Sequence, residues 1–203
     1  MESGMSAVRT PMMIALVAAS LATGAVAQTQ PDSETLLEAI EEQRNNEVVD
    51  LVTRKGRAIV NVRGYSGATP LTLAMRKRAT ADVNYLLQNG AEPNLADKSG
   101  DTALMIAARL GHLEGVNTMI VGKAAIDASN RQGETALIIA VQNRHVQVVK
   151  RLLEAGASAT RTDSASGLSA RDYATRDRRS SEILKLFDSV KAKPVFVAGP
   201  IIQ

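Results

Sequence analysis

The sequence predicts an all-α fold built from repeats, and three observations support this prediction. A short motif that opens with Gly and has Thr or Ser at its third position recurs along the chain. Its copies lie at positions 67–74, 100–107, 133–140 and 167–174, so that the leading glycines are almost evenly spaced. Hydrophobic residues make up 45% of the chain, yet it has only two Phe, three Tyr and no Trp. A core of small aliphatic side chains suits close-packed helices better than a β-sandwich.

A second motif follows the first, because residues 83–91 match residues 149–157. Together the two motifs resemble the ankyrin repeat, whose unit is a turn followed by two antiparallel helices. The resemblance covers residues 34–188 and implies a solenoid of about five helix-turn-helix repeats joined by β-turn or hairpin loops. The expected units are an N-terminal cap repeat at 34–66, full repeats at 67–99, 100–132 and 133–166, and a C-terminal cap repeat at 167–188.

The matched positions of the repeat each have a physical task. A hydroxyl group at the third position of the motif is expected to cap the first helix by accepting a hydrogen bond from a backbone N–H. The residues that carry it are Thr69, Thr102, Thr135 and Ser169. Gly90 and Gly156 are expected to end the second helix with a positive φ. The intervening copy has Gly122 and Lys123 instead, so either Lys123 adopts the left-handed conformation or the helix ends one residue early.

The segment 1–27 has the features of a cleavable signal peptide. Arg9 supplies positive charge ahead of the apolar stretch 12–19, and residues 25–27 form an A-x-A cleavage site. The apolar stretch is shorter than the roughly 20 residues of a membrane span, although an uncleaved anchor is the alternative. Residues 28–33 are polar and aperiodic and are expected to form a flexible leader. These features predict a protein that is periplasmic or secreted.

The sequence contains no cysteine. Disulfides, thiol chemistry, a lipoprotein anchor and Cys-based metal sites are therefore excluded. This composition suits a protein that passes through an oxidising compartment. The start codon is either Met1 or Met5, and the sequence leaves both open.

Residues 189–203 follow the last repeat and are expected to form an extended tail, because Pro194, Gly199 and Pro200 oppose a helix. One interpretation is that this apolar tail lies on the last repeat or docks in a partner. The alternative is a loose terminus, as is common at chain ends.

A search for catalytic or metal-binding chemistry finds no convincing set of residues. The two histidines, His112 and His145, share one position in neighbouring repeats, which indicates a structural role. Two ligands on stacked repeats would also lack the third and fourth that zinc requires. Ser169 follows a Gly but lacks the second Gly of a nucleophile elbow. The protein is therefore expected to be no enzyme and to use no cofactor or metal.

Solenoids of this kind bind partners on the concave surface made by the turn tips and the first helices. The resemblance implies contact positions that flank the leading Gly and lie late in the first helix. The predicted partner-binding residues are Tyr65, Ser66, Arg76, Lys77, Lys98, Asp101, Arg109, Arg131, Gln132, Glu134 and Gln142. Several are cationic, which predicts an acidic patch on the partner, although acidic neighbours leave an ordinary solvated surface as the alternative.

The net charge of +3 and the pI of about 9.3 are too mild to indicate nucleic-acid binding. The sequence thus predicts a monomeric, non-catalytic scaffold in the bacterial periplasm that binds another protein and inserts into no membrane after signal cleavage. A secreted effector or immunity factor that binds a protein of a host or rival cell is the main alternative. A metal-binding or hydrolytic protein is a weaker one.

Overall fold

The computed structural model describes the backbone of residues 32–191 and side chains up to Ser189. The predicted signal peptide at 1–27, most of the predicted leader and residues 192–203 lie outside this part. The helices are α1 Asp32–Glu41, α2 Asn45–Lys55, α3 Arg57–Val60, α4 Pro70–Arg76, α5 Thr80–Gln88, α6 Ala103–Leu110, α7 Leu113–Val121, α8 Ala136–Gln142, α9 Val146–Glu154, α10 Ala170–Arg176 and α11 Ser181–Lys191. No helix among them is long and apolar enough to span a membrane.

The helices stack in two rows, which confirms the predicted all-α solenoid. The inner row consists of α1, α4, α6, α8 and α10, and each of these helices packs against the next. The outer row consists of α2, α5, α7, α9 and α11, and it packs in the same order. Each inner helix also packs against the outer helix of its own repeat. The short helix α3 extends the first repeat and contacts both α1 and α2.

The core lies between the two rows and is made of the predicted small aliphatic residues. Leu71, Leu104 and Leu137 of the inner row are at most 1% exposed. The alanines one turn further along these helices, Ala74, Ala107 and Ala140, are completely buried, which allows the rows to approach closely. The two halves of each repeat are therefore held together mainly by apolar packing, which is the dominant stabilising term in folding.

The predicted hydroxyl caps are all present. The Oγ1 of Thr69 accepts a hydrogen bond from the backbone N–H of Thr72 over 3.1 Å. Thr102, Thr135 and Ser169 accept the equivalent bond from the third residue of their helices. Substituting such a cap by Ala typically costs about 1 kcal/mol. The recurring hydroxyl therefore fixes where every inner helix from α4 onward begins.

The outer helices end in a left-handed residue, as predicted. Gly90 has a φ of 87° and Gly156 a φ of 91°. Lys123 has a φ of 59°, and α7 ends at Val121, level with the ends of α5 and α9. Of the two alternatives for this copy, a left-handed Lys123 is therefore observed, and the helix does not end early. A lysine holds a conformation that costs little only for glycine.

Two predicted boundaries differ from the observed helices. Helix α1 begins at Asp32, inside the predicted leader. Helix α11 continues to Lys191, so residues 189–191 are helical and do not belong to an extended tail. The physical reason is that no residue between Ser181 and Pro194 breaks a helix.

Candidate functional site

The turn tips, which precede the inner helices, are tied to one another along the solenoid. The backbone N–H of Lys98 donates to the carbonyl of Gly67 over 3.1 Å, and that of Arg131 donates to Ser99 over 3.3 Å. The N–H of Ser164 donates to the carbonyl of Gln132 over 2.8 Å. Equivalent side chains of successive tips therefore form a row with a fixed spacing.

A buried Asx side chain holds each of the last three tips in shape, whereas the first tip has Gly64 at the equivalent position. Asp97 is 5% exposed, and its Oδ1 accepts hydrogen bonds from the N–H groups of Ser99 and Asp101 over 2.8 and 3.1 Å. Asn130 repeats the arrangement with Gln132 and Glu134. Asp163 does the same in the last repeat, where its Oδ1 accepts from Ser166 and Gly167. These residues are absent from the predicted set, although Asp or Asn lies shortly before the leading Gly in all three tips.

Two ion pairs connect the tips to the inner helices. Arg76, at the end of α4, pairs with Asp97, which is the anchor of the next tip. Arg109, at the end of α6, pairs with Asp101. Because these arginines lie at the far ends of their helices, the predicted tip and helix residues belong to one continuous surface.

Asp101 sits within this surface but is itself buried, with 5% exposure. Its Oδ1 accepts a hydrogen bond from Asn130 of the next tip over 2.9 Å. Burial opposes ionisation of Asp101, but the hydrogen bonds from Arg109 and Asn130 outweigh it and lower the pKa of the carboxyl group. Asp101 is therefore a charged anchor that positions Arg109, rather than a side chain presented to solvent.

The remaining predicted residues are exposed to different degrees. Tyr65 is 87% exposed and stands at the tip of its repeat. Lys77 and Glu134 are half-buried. The other exposed members of the predicted set are Ser66, Arg76, Lys98, Arg109, Arg131, Gln132 and Gln142. Whether any of them contacts a partner stays a prediction.

Tyr65, Lys98 and Arg131 occupy the same position of three successive tips. Within residues 32–189, neither Lys98 nor Arg131 forms an ion pair. Arg76 and Arg109, by contrast, already have carboxylate partners. The cationic character that the surface presents to solvent is therefore concentrated on two of the tips.

The histidines link neighbouring repeats. Nε2 of His145 lies 3.0 Å from the backbone carbonyl of Arg109, and Nε2 of His112 lies 3.1 Å from Oγ1 of Thr80. Burial and the nearby Arg78 lower the pKa of His112, so its neutral form is favoured. In the described part of the chain, no three His, Asp or Glu side chains are grouped as metal ligands.

The side chain of Ser169 likewise has a structural role. Its hydroxyl accepts a hydrogen bond from the backbone N–H of Asp172 over 3.2 Å, and the backbone N–H of Ser169 donates to Oδ2 of Asp172 over 2.9 Å. This reciprocal capping of α10 by Ser169 and Asp172 is a capping box. The hydroxyl of Ser169 therefore caps the N-terminus of α10.

Comparison with known proteins agrees with the repeat architecture. A family model for ankyrin repeats (3 copies) matches residues 82–163. This segment runs from the first turn of α5 to the Asx anchor of the last tip and includes α6 to α9. No curated protein matches the chain. The chain therefore contains ankyrin repeats at residues 82–163.

Proposed function

We propose that this protein is a non-catalytic scaffold of the bacterial periplasm, which binds a partner protein on its turn tips and inner helices. Ankyrin repeats are protein-protein interaction scaffolds, and this general role applies to the chain. The observation that carries the more specific proposal is the row of exposed side chains at Tyr65, Lys98 and Arg131. Hydrogen bonds between the tips hold their backbones in place before a partner arrives, which reduces the entropy lost on binding.

The partner has an acidic surface in this proposal. Lys98 and Arg131 present two cations on adjacent tips, and stacked helices of successive repeats are about 8–10 Å apart. Carboxylates at a similar spacing on the partner would meet both cations. Tyr65 adds a rigid aromatic contact at one end of the row, and tyrosine is enriched among residues that dominate binding energy.

The absence of catalysis is also part of the proposal. The polar groups of the surface have structural partners: Asp97 and Asp101 hold the tips, and His112 and His145 link the repeats. The hydroxyl of Thr80, which lies 3.1 Å from Nε2 of His112, has the same structural role in this proposal. A binding role accounts for the surface without any further chemistry.

The periplasmic location rests on the sequence of residues 1–27, with its positive residue, apolar stretch and A-x-A site. The intact mass of the protein recovered from a periplasmic fraction tests it. We expect a chain that begins at Gln28. A chain that retains residues 1–27 in the membrane fraction would contradict cleavage and support the anchor instead.

Affinity capture with tagged residues 28–203 tests the binding surface. We expect the double variant Lys98→Glu and Arg131→Glu to lose at least about 90% of the captured partner, because close charge pairs in an interface contribute substantially to binding. These two residues are better targets than Arg76 and Arg109, whose removal would also loosen the tips. Mass spectrometry of the retained proteins provides the measurement.

The matched control is Lys150→Glu with Lys185→Glu, which makes the same change in net charge on exposed positions of α9 and α11. We expect this control to capture the partner as well as the native chain does. Equal loss in both variants would show that overall charge alone matters. Full retention by the tip variant would overturn the proposed surface.

A further inference from the structure

A groove on the outer surface of the solenoid is not used by the proposed function. It lies between α5 and α7 and has a volume of about 500 Å³. We call it the outer groove and define it by Asn84, Leu87 and Gln88 of α5 with Asn117, Thr118 and Val121 of α7. Val121 is 80% exposed at the end of α7. Glu114 of α7 also lines it, so the groove combines an apolar side chain with amide groups and one carboxylate.

Val121 departs from the pattern of the repeat. The equivalent residues of α5, α9 and α11 are Gln88, Glu154 and Asp188, which are all polar and exposed. The fold therefore requires no valine at this position. Exposing a large apolar side chain in water is unfavourable, and covering it would recover that free energy.

The chain supplies a segment suited to cover the groove. Residues 194–202 contain no charged residue and include several large apolar ones, namely Val195, Phe196, Val197, Ile201 and Ile202. We propose that this segment docks in the outer groove of its own chain, with Ile201 and Ile202 against Val121. Leu87, which is half-buried on the facing helix, provides the other wall.

The ends of the outer helices lie along one edge of the solenoid, which brings this segment towards the groove. The chain after each outer helix is bonded to the corresponding chain of the preceding repeat. The N–H of Ala125 donates to Oδ1 of Asn94 over 2.7 Å, and that of Ser158 donates to Oδ1 of Asp127 over 2.9 Å. Helix α11 packs beside α9 in the same row, so the segment starts at this edge.

The residues that follow α11 can span the distance from the end of this helix to the outer groove. Packed helices are about 8–10 Å apart, so α7 lies roughly 20 Å from α11, with α9 between them. An extended chain covers about 3.3 Å per residue, which carries Ile201 about 33 Å from Lys191. Phe196 reaches only about 17 Å by the same measure. This is why the proposal places Ile201 and Ile202, rather than Phe196, in the outer groove.

The polar atoms of the outer groove suit an extended peptide. Amide side chains of Asn84, Gln88 and Asn117 offer both donors and acceptors, as the backbone of such a peptide requires. The Oδ1 of Asn117 already accepts from Nε of Arg151 over 2.7 Å, which leaves its NH₂ group for this purpose. Pro194 and Pro200 restrict the docking segment to extended conformations.

Disulfide formation between introduced cysteines tests the proposal, because the sequence contains no cysteine of its own. The test protein is residues 28–203 with Val121→Cys and Ile202→Cys, oxidised at low concentration and analysed by non-reducing electrophoresis. We expect an intramolecular disulfide to form at least tenfold faster than in a control with Glu154→Cys and Ile202→Cys. Glu154 is exposed at the equivalent position of α9, which lies between α7 and α11, so a segment that moves without preference would reach it at least as readily.

Equal rates in the two proteins would overturn the proposal, and so would disulfide-linked dimers in place of the intramolecular product. Hydrogen exchange of the chain without introduced cysteines provides a second measurement. We expect slow exchange in residues 195–202 that becomes at least tenfold faster in Val121→Gln. This variant should fold normally, because glutamine occupies the same position in α5. Exchange that is equally fast in both proteins would also overturn the proposal.

Discussion

The inner and outer rows of helices differ in how much of each helix is buried. Six of the seven residues of α8 are buried, whereas only four of the nine residues of α9 are. Each of the central inner helices α4, α6 and α8 packs against two inner neighbours and an outer helix, and its exposed residues lie in its last turn. We therefore expect substitutions in these helices to be more costly than substitutions in the outer row.

The two rows also differ in how their helices end. The outer row uses Gly90 and Gly156 at the left-handed position, with Lys123 as the exception. The inner row has a glycine at that position only after α6, where Gly111 has a φ of 66°, and uses Gln43, Arg78 and Arg144 elsewhere. The two arginines have a function there that glycine cannot provide, because Arg78 donates to the carbonyl of Leu110 over 2.6 Å and Arg144 to Asp177 over 2.6 Å. At Arg78 and Arg144, backbone strain is therefore offset by contacts with the next repeat.

The largest expected effect tests the difference in burial. We expect Leu137→Ala, in α8, to lower the free energy of unfolding by about 2–5 kcal/mol, because the site is fully buried and a cavity would remain. The matched change in the outer row is Leu87→Ala, at a half-buried site, which we expect to cost about 1 kcal/mol. Urea denaturation of residues 28–203 measures both. Equal costs would show that the two rows contribute alike to stability.

A smaller change in stability tests the difference between the helix ends of the two rows. We expect Lys123→Gly to stabilise the protein by about 0.5–1 kcal/mol, because glycine adopts a positive φ without steric cost. We expect Arg144→Gly to stabilise the protein by less than this, or to destabilise it, because the substitution also removes the ion pair with Asp177. Thermal unfolding of the two variants beside the native chain gives the ranking. A larger gain at Arg144 would contradict a stabilising role for that contact.

The smallest effect concerns the pH dependence of the same contact. The hydrogen bond from Arg144, helped by the backbone N–H of Arg179, lowers the pKa of Asp177 from 3.8 to about 2. A carboxyl group with a lowered pKa stabilises the folded state above pH 3.8, and this contribution is lost as the pH falls towards 2. We expect the pKa of Asp177 to rise towards 3.8 in Arg144→Gln, as measured by carbon NMR titration. An unchanged pKa would mean that Arg144 is not its cause.

Much of the fold could be predicted from the sequence because its signals are local. The hydroxyl of Thr102 caps the helix that follows it, and Gly156 adopts a conformation that glycine favours anywhere. The left-handed conformations of Arg78 and Arg144 could not be predicted in this way. Arginine has no preference for that region, and the contacts that offset the strain come from the next repeat along the chain.

The candidate surface was predictable in position but not in its electrostatics. The motif placed Tyr65 and Lys98 at turn tips, because the register of the repeat determines which residue flanks the leading Gly. It could not show that Arg76 is paired with Asp97, since these residues lie 21 positions apart in the sequence, with α5 between them. Nor could it show that Asp101 is buried, because that depends on Asn130 in the next tip. The net charge can be counted from the sequence, whereas the pairing of charged side chains depends on their contacts in the folded protein.

The bonds between turn tips have an evolutionary consequence. The bonds from Arg131 to Ser99 and from Ser164 to Gln132 join equivalent residues of neighbouring tips through backbone atoms alone. A genetic duplication of one repeat unit would therefore bring a new donor opposite a new acceptor, whatever side chains the tip carried. Descendants of this protein could lengthen the row of tips by about 10 Å for each added unit, and select new side chains at the tip afterwards.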